Sequence, residues 1–376
     1  MNIAVNGKAL GVAEKGGAVR VALSLIREIA LLRPDISLDV YIPTGSGLSS
    51  PEVEPLSNVK FYLRDSSLYC NGFARSLWEQ IVLPLLIRKH NKKYDLLINL
   101  TNSAPVCLSP EIPQLLLVHD VGFQNREWFS FLFSSYVTWL LHAAIARKVH
   151  LVTVSKTSAS QLVNLLPKAG SVSVIPNSSD EPPWEELTNN LDYRYVLFLG
   201  SLNPRKNLNG AIAGFQAFKA STKEDIRLVV VGAEKSIFTK GTYDSLESED
   251  ISFLGYVEDR KKWSLLKGAE LLLLPSFLEG FGLPILEALK VGIPVVASSI
   301  PVFQELFGDA LEYVNPYSPK DIGRGIQSIV ENPEKRRQMI TTGKEIGNQF
   351  SWRASAQEYV RLFESIAKEV RNSEES

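Results

Sequence analysis

Short apolar runs alternate with longer amphipathic runs along almost the whole chain. Runs rich in Val, Ile and Leu predict buried strands, and apolar positions three and four residues apart predict helices between them. In the first half the predicted strands are 2–6, 37–42, 59–63, 94–100, 114–118, 151–154 and 172–175, and the predicted helices are 18–32, 74–88, 127–148 and 157–165. In the second half the predicted strands are 195–199, 226–231, 251–254, 270–274, 294–297 and 311–313, and the predicted helices are 208–220, 262–267, 284–291, 319–331, 333–349 and 352–370. This alternation predicts parallel α/β layers.

The alternation is interrupted once, by a polar segment around Pro182-Pro183 with little periodicity. We interpret 181–193 as a linker between two domains, 1–180 and 194–351. A chain of 376 residues that is 45% hydrophobic is too long for one ordinary core, which agrees with two domains. Each domain is predicted to be a Rossmann-like, doubly wound sheet. Such sheets bind ligands at the carboxyl ends of their strands, so two of them facing across a cleft would form the site.

The amino-acid composition excludes several classes of function for this chain. The net charge is −1, from 40 basic and 41 acidic residues, so no overall field attracts nucleic acid. Two cysteines exclude a disulfide framework and a cysteine-rich metal site, and they predict an intracellular protein. The four histidines show no metal-ligand spacing, and the amino terminus reads as a strand rather than a signal peptide.

The most informative stretch is 274–289, where a predicted strand leads through a glycine loop into a helix. Glu279 and Glu287 flank Gly280, Gly282 and a proline, Pro284, that we predict at the first helical position. Free N–H groups at a helix start suit an anion such as a diphosphate, and carboxylates beside it accept hydrogen bonds from hydroxyls. A capped crossover helix with incidental acids is the alternative explanation.

Two further loops carry phosphate-binding chemistry. Arg205 and Lys206 precede a helix start capped by Asn207, and they offer bidentate geometry and a point charge to a phosphate. A solvated basic turn would explain the same residues. Gly16 and Gly17, after the loop Ala13-Glu14-Lys15, open the first long helix and could present N–H groups to an anion or simply form a tight turn.

His119 and Asp120 end a predicted strand of the first domain. A histidine at the carboxyl end of a strand faces the expected cleft and could bind or polarise a hydroxyl. A satisfied histidine at the rim of the sheet is the equal alternative.

One helix pattern, Trp128 to Ala146, is rich in aromatic residues and carries no formal charge. Its serines and His142 argue against a spanning helix and favour a partly buried one. The alternative is a face that touches a membrane or a lipid-linked acceptor, with the cluster Arg88 to Lys93 adding attraction to anionic lipid. The same cluster could be a solvated helix end, where cations suit the helix dipole.

Together these motifs resemble a known family. The pieces are Gly16-Gly17, Val118-His119-Asp120, Pro204-Arg205-Lys206-Asn207 and the E-x7-E pair Glu279 and Glu287. They resemble the retaining glycosyltransferases of the B-type (GT-B) fold, family 4, from Asn2 to about Ala367. Two places depart from the common pattern: Ser201 stands where many members carry Arg, and Ser178 where many carry Gly.

The resemblance implies a role for each site residue. Arg205 and Lys206 would bind the donor diphosphate, Glu287 the ribose, and Glu279 the donor sugar. His119 would lie beside the reaction centre. The remaining implied donor contacts are Gly16 and Gly17, Tyr256 and Val257 near the base, and the segment Gly280, Phe281, Gly282 and Leu283. No metal and no cofactor are expected, and the final helix, 352–371, is expected to pack on the first domain.

The resemblance implies transfer of a hexosyl group from a nucleotide sugar, with retention of configuration, to a glycan or lipid-linked glycan in surface polysaccharide or lipopolysaccharide assembly. A mannosyl group from GDP-mannose is the first hypothesis for the donor. The protein is expected to be cytoplasmic, with peripheral contact to the inner face of the membrane. Two alternatives stay open: a nucleotide-sugar epimerase on the same fold, and a non-catalytic scaffold subunit that binds nucleotide sugar.

Overall fold

The computed structural model describes residues 1–11, 16–45, 56–90, 92–188, 191–232 and 247–375. The chain divides into two compact units. Unit 1 is Met1–Ser178 together with Ser351–Ser376, and unit 2 is Ser179–Phe350. The segment interpreted as a linker falls within unit 2, and its residues 189 and 190 lie outside the described part of the chain.

Strands and helices alternate in both units. The strands are β1 Asn2–Asn6, β2 Ser37–Thr44, β3 Val59–Asp65, β4 Leu96–Asn99, β5 Gln114–Val118, β6 His150–Thr153, β7 Val172–Val174, β8 Arg194–Leu199, β9 Ile226–Val231, β10 Ile251–Gly255, β11 Leu271–Leu274, β12 Val295–Ser298 and β13 Glu312–Val314. The helices are α1 Gly17–Leu32, α2 Gly72–Leu77, α3 Leu83–Lys89, α4 Phe131–Ala146, α5 Lys156–Leu165, α6 Leu208–Ser221, α7 Asp259–Gly268, α8 Leu283–Val291, α9 Pro301–Phe307, α10 Pro319–Val330, α11 Pro333–Gly347 and α12 Trp352–Glu375.

Each unit contains one parallel sheet. In unit 1 the strand order is β3-β2-β1-β4-β5-β6-β7, and in unit 2 it is β10-β9-β8-β11-β12-β13. The chain therefore reverses its direction of winding between β1 and β4 and again between β8 and β11. Ligands bind at such reversal points in doubly wound sheets. The prediction of two doubly wound domains is confirmed.

The central strands are mostly apolar and buried, as expected where helices cover both faces of a parallel sheet. The four residues of β11 are all leucine and all fully buried. In unit 2, α6 and α10 pack so closely that a Cβ at Gly214 would lie 2.3 Å from a side-chain carbon of Ile322. The core thus holds the strand ends, and the loops that follow them, in fixed positions.

The largest difference from the prediction lies in the segment where one helix over 74–88 was expected. It begins at Gly72, where the Asn71 side chain accepts a hydrogen bond from the Phe73 N–H at 2.8 Å. It then widens into a π-helical turn, Trp78–Val82, before α3. Pro84 follows this turn and has no N–H to donate, so a regular α-helical ladder is interrupted there.

Two smaller predictions also change. Helix α9 was not predicted, because seven residues that start with Pro301 show too little periodicity. Pro284 was predicted as the first helical residue, but α8 begins one residue earlier, at Leu283. Pro284 still lies in the first turn, where an N–H has no intrahelical partner.

The last helix, α12, belongs to unit 1 although it follows unit 2 in sequence. It packs against α1, and Arg33 and Glu364 form an ion pair of 2.5 Å there. Ser355 donates a hydrogen bond of 2.6 Å to the carbonyl oxygen of Pro176. The buried face of α12, which includes Phe363, therefore completes the core of unit 1.

Candidate active site

The loop after β8 is shaped by two asparagines. Asn203 accepts a hydrogen bond from the Arg205 N–H at 3.1 Å and begins a 3-10 turn over Pro204–Lys206. Asn207 adopts a left-handed conformation, φ 57°, and its side chain caps α6 by accepting from the Gly210 N–H at 3.1 Å. Asparagine tolerates this conformation better than most residues. The two cations of the loop are therefore held on a short, rigid turn.

The loop after β11 ends at Gly282, which has φ +108° and precedes the first residue of α8. A Cβ there would lie 2.9 Å from a ring carbon of Phe303, so both the conformation and the packing require glycine. Phe281 is buried and its ring meets those of Phe307 and Phe350 edge-on, at centroid distances of 6.3 and 5.4 Å. Phe281 can therefore offer a ligand its backbone N–H but not its side chain.

Three hydrogen bonds to main-chain carbonyl oxygens tie these two loops together. The Phe277 N–H donates to the Arg205 carbonyl oxygen at 2.8 Å, and the Arg205 guanidinium donates to the Leu278 carbonyl oxygen at 3.1 Å. The Asn207 side chain donates to the Pro275 carbonyl oxygen at 2.9 Å. The loops meet at the β8–β11 reversal point, so the site is preorganised by backbone contacts.

Glu279 lies at the centre of this junction and is 6% exposed. Its Oε1 accepts from Lys206 Nζ at 2.5 Å and from Ser276 Oγ at 2.9 Å, and its Oε2 lies 3.4 Å from Arg205 Nη1. The structure thus brings Arg205, Lys206 and Glu279 together from two loops. Ser276 was not singled out from the sequence, since one serine in a loop carries no distinguishing signal.

The charge of Glu279 depends on its neighbours. Burial by itself would raise the pKa of this carboxyl group. The charges of Lys206 and Arg205, aided by the hydrogen bonds from Lys206 and Ser276, outweigh burial and hold the pKa below its usual value. Glu279 is therefore an ionised acceptor of hydrogen bonds at neutral pH.

Glu287 lies on α8, where its Oε1 accepts from Lys262 Nζ at 2.5 Å. Both side chains are buried, and Lys262 Nζ also lies 3.6 Å from Asp259 on its own helix, α7. Sequence reasoning missed Lys262. The available signal was its position three and four residues before Leu265 and Leu266, which places a cation on the apolar face of α7.

The segment expected to contact a base leads directly into α7. Gly255 has φ +63°, and its carbonyl oxygen accepts from the Gly232 N–H at 2.9 Å. Tyr256 is 46% exposed and Val257 is buried. Tyr256 therefore offers a ring to a ligand, whereas Val257 can offer mainly its backbone.

In unit 1, His119 follows β5 and is held by the loop after β4. The His119 N–H donates to the Asn102 side chain at 2.9 Å, and His119 Nε2 lies 3.2 Å from the Leu100 carbonyl oxygen. A carbonyl oxygen only accepts, so Nε2 carries the hydrogen in this contact, and Nδ1 of the neutral ring is an acceptor. The ring is thereby fixed in orientation and tautomer. Asp120 accepts from the Gly122 N–H at 2.8 Å, which shapes the turn that follows.

Gly16 and Gly17 begin α1 in unit 1. Gly16 is its N-cap, with no side-chain cap, and both glycines are exposed. The first N–H groups of a helix have no intrahelical acceptor, so the N–H groups at the start of α1 can donate to an anion, as expected. The preceding residues Ala13 to Lys15 lie outside the described part of the chain.

A buried carboxylate at the carboxyl edge of the first sheet was not predicted. Glu79, on the π-helical turn, accepts from Asn6 at 2.8 Å, from Lys8 at 2.9 Å and from Ser103 at 2.8 Å. Asn6 is the last residue of β1, Lys8 follows that strand and Ser103 follows β4, so the network lies at the reversal point of unit 1. Within an apolar helix pattern, a single buried acid gives no sequence signal of its partners.

No three side chains of the types His, Cys, Asp and Glu come together as a metal site among the described residues. Independence from a metal stays a prediction.

Helix α4 is partly buried. Its buried face includes Val137, Leu140 and Leu141, while Leu132 and Trp139 are exposed. It begins at Phe131 rather than near Trp128, because Ser130 caps it by accepting from the Phe133 N–H. Across the described ranges, no helix combines the length and the apolar character needed to cross a bilayer.

The two doubly wound units define the GT-B fold of glycosyltransferases. Sucrose-phosphate synthase from Thermosynechococcus elongatus superimposes with a TM-score of 0.76 at 18% identity, over 97% of this chain and 99% of that chain. The family model described as "Glycosyl transferases group 1" matches residues 184–346, which lie in unit 2 and include both loops of the site.

Two relatives share sequence over much of the chain. The O-antigen chain mannosyltransferase B of Escherichia coli is 30% identical over 235 residues, which are 58% of this chain and 61% of the relative. The O-antigen chain mannosyltransferase RfbU of Salmonella typhimurium is 28% identical over 269 residues, 70% of this chain and 71% of the relative. The first match thus spans less than two thirds of its relative. Over these residues the chain is similar in sequence to proteins named as glycosyltransferases.

Proposed function

We propose that this protein is a retaining hexosyltransferase that uses a nucleotide sugar as donor. The observation that carries the proposal is the buried Glu279 carboxylate, held by Lys206 and Arg205 at the β8–β11 reversal point. A carboxylate beside two cations at a helix start can bind hydroxyls and a diphosphate at the same time. That combination of groups is what a nucleotide sugar presents.

The donor would share partners with the existing ion pair rather than break it. An ammonium group has three hydrogens, so Lys206 can hold Glu279 and a phosphate oxygen together. Arg205 and the N-terminus of α8 would complete the phosphate site. Glu287 would bind the ribose hydroxyls, with Lys262 holding its carboxylate in place.

The proposed step is attack by an acceptor hydroxyl on the anomeric carbon from the face that the phosphate leaves. The bond from that carbon to the diphosphate oxygen breaks, the bond to the acceptor oxygen forms, and the leaving phosphate takes the acceptor's proton. Lys206 and Arg205 would stabilise the charge that develops on the diphosphate. Glu279 accepts three contacts from cations and a hydroxyl, which favours binding over nucleophilic attack.

The first hypothesis for the reaction is mannosyl transfer from GDP-mannose. Both relatives are named O-antigen chain mannosyltransferases, which supports a glycan or lipid-linked glycan acceptor in surface polysaccharide assembly. Assignment to family 4, retention of configuration and independence from a metal belong to the same proposal and rest on the motifs Arg205-Lys206 and Glu279/Glu287.

The first test is to find the donor and then the configuration of the product. Nucleotides and nucleotide sugars are screened by thermal shift, since a ligand that binds only the folded state raises the melting temperature. The stabilising donor is then incubated with lipid-linked glycan acceptors, and the anomeric configuration of the product is read by NMR. We expect transfer with retention, unchanged by EDTA. An inverted product would reject retention, and a loss with EDTA would reject metal independence.

The same experiment separates the two alternatives. An epimerase converts the donor alone, so a new sugar would form without acceptor. A scaffold subunit binds the donor and gives no product with any acceptor. The presence of Arg205, Lys206 and Glu279 in one cluster, with Glu287 on the helix α8 that follows the Glu279 loop, favours catalysis over a binding role.

We also propose that unit 1 contacts the inner face of the membrane, where a lipid-linked acceptor is found. Phe73, Leu77, Ile81 and Leu85 follow one another at steps of four residues, and each is 50–76% exposed. The run ends in three exposed residues, Arg88, Lys89 and His90. The one acid between Phe73 and His90, Glu79, is buried. We call the four apolar side chains the apolar stripe. An apolar face with a basic end suits an anionic bilayer surface.

Flotation with vesicles tests this contact. We expect the protein to float with phosphatidylglycerol vesicles and much less with phosphatidylcholine vesicles. The double variant Leu77→Ser, Ile81→Ser should bind at least about tenfold more weakly, since each buried side chain contributes about 1.5–3 kcal/mol. Leu31→Ser, at an exposed leucine of α1 outside the stripe, is the matched control. Equal flotation of the double variant and the control would reject the apolar stripe as the contact.

A further inference from the structure

A groove in unit 2 lies next to the proposed donor site and has no part in it. It encloses about 470 Å³ at the carboxyl ends of β12 and β13. The side chains that shape it are Phe277, Ser299, Ile300, Tyr313, Asn315 and Tyr317. Phe277 connects the groove to the site, since it lies two residues before Glu279 and its N–H donates to the Arg205 carbonyl oxygen.

Two aromatic rings form one wall of the groove. The rings of Phe277 and Tyr317 stack with centroids 4.8 Å apart and planes inclined by 29°. Tyr317 is 76% exposed, so the stacked pair presents a flat apolar surface to solvent. Single exposed apolar residues are common on proteins, whereas a stacked pair beside a polar groove provides a flat surface on which a ligand can stack.

The two loops that carry the aromatic pair are tied together by hydrogen bonds. The Asn207 amide donates to the carbonyl oxygens of Pro275 and Pro316, at 2.9 and 2.8 Å, and so joins the two loops that carry the rings. The Tyr317 N–H in turn donates to the Asn315 side chain at 3.0 Å. A surface that is already ordered loses little conformational entropy when a ligand binds.

The rest of the groove is polar and close to neutral. Ser299 Oγ accepts from Gln304 and can still donate its own hydrogen. Asp321 is compensated, because it accepts from the Asn315 N–H at 2.7 Å and from Arg324 at 2.7 Å. Hydroxyl and amide groups beside a flat aromatic surface match a neutral sugar, which has an apolar face of C–H groups and a rim of hydroxyls. The described residues that line the groove include no lysine or arginine, and the neighbouring Arg324 is already paired with Asp321, so the groove favours a neutral ligand over an anionic one.

We propose that this groove is a saccharide-binding subsite that holds sugar residues of the glycan acceptor away from the reacting hydroxyl. The sugar ring would stack on Tyr317, and Ser299 and Asn315 would bind its hydroxyls. The identity of the bound glycan as an acceptor rests on the proposed function. Saccharide binding itself does not, because the groove is complete without a donor.

Binding is therefore measured without donor and without turnover. A panel of neutral oligosaccharides that contain mannose, rhamnose, glucose or galactose is tested by saturation-transfer NMR and titration with the full chain. We expect at least one panel member to bind, with Tyr317→Ala weakening its affinity about tenfold, as expected for the loss of one stacking ring. Tyr317→Phe should keep the affinity. Trp184→Ala, which removes a half-exposed aromatic ring elsewhere in unit 2, is the matched control and should change nothing.

Two outcomes would overturn the subsite: no panel member binds, or Tyr317→Ala binds as well as the control. Transfer assays then separate this proposal from the proposed function. If the subsite is correct, Tyr317→Ala raises KM for long acceptors about tenfold and leaves KM for a monosaccharide acceptor unchanged. Equal KM changes for both acceptors would reject the acceptor role, whereas absence of any transfer by the wild-type chain would reject the proposed function and leave the binding result standing.

Discussion

Replacement of Lys206 by methionine is expected to lower kcat by about 10²–10³-fold, the usual effect of removing one preorganised group that stabilises transition-state charge. Lys206 is the cation closest to Glu279 and is the last residue of the 3-10 turn Pro204–Lys206. Its loss removes a positive charge from the place where the diphosphate becomes more negative. Donor affinity should also fall, because the same ammonium group binds the phosphate before reaction.

The same change is expected to destabilise the fold. Removing one partner of a buried ion pair leaves the other charge uncompensated, which costs about 3 kcal/mol or more. Arg205 and Ser276 still contact Glu279, so we expect a loss at the lower end of that range, measured by urea unfolding.

A second variant separates chemistry from stability. In Lys206→Met, Glu279→Gln the unpaired charge is gone, so most of the lost stability should return while kcat stays low. If the double variant regained activity together with stability, Lys206 would be a structural residue only. Wild-type kcat in the single variant would reject the proposed diphosphate site.

Replacement of Glu287 by alanine is expected to weaken donor binding by about 10–100-fold, because two hydroxyls lose a charged acceptor worth about 1.5–3 kcal/mol. The effect should appear in Kd for the donor, measured by calorimetry. At saturating donor, kcat should change by less than about threefold, since the ribose contact is the same in ground and transition states.

Two controls guard this interpretation. Glu287→Ala leaves Lys262 buried without its closest partner, so Lys262→Met is added to restore stability without restoring the ribose contact. Glu312→Ala removes another buried acid of unit 2, one that is paired with Arg324 and Lys335 outside the site. It should lose stability and keep donor affinity. Equal donor affinity in Glu287→Ala and the wild type would reject the ribose contact.

Much of the fold could be predicted because its signals are local. Leucine and valine runs identify the strands, and Gly282 and Pro284 identify the start of a helix within one residue. The π-helical turn at Trp78–Val82 and the short helix α9 could not be predicted, since each is too short to show its own period. Helices α1, α6, α10 and α11 were predicted within two residues at each end, because periodicity accumulates with length, whereas α4 and α12 each differ by four or five residues at one end.

The candidate site was predictable in its residue types and not in its contacts. Arg205, Lys206 and Glu279 each follow a strand, which places them at the ligand-binding edge of a parallel sheet. The strand order decides which acid contacts which cation, and no single motif specifies that order. For this reason Lys262, on a helix that neighbours α8, was missed, although its pair with Glu287 is as short as that of Lys206 with Glu279.

The sequence by itself determined the alternation of strands and helices, the glycine loop before α8 and the presence of two cations and two acids. These depend on properties of neighbouring residues, which periodicity and turn chemistry report directly. Only the tertiary structure decided that β8 and β11 lie side by side, and this brings Lys206 to Glu279 across 73 residues of sequence. The same packing stacks Phe277 on Tyr317 and leaves the apolar stripe exposed. Such contacts result from burying many apolar side chains at once, so no local pattern could have specified them.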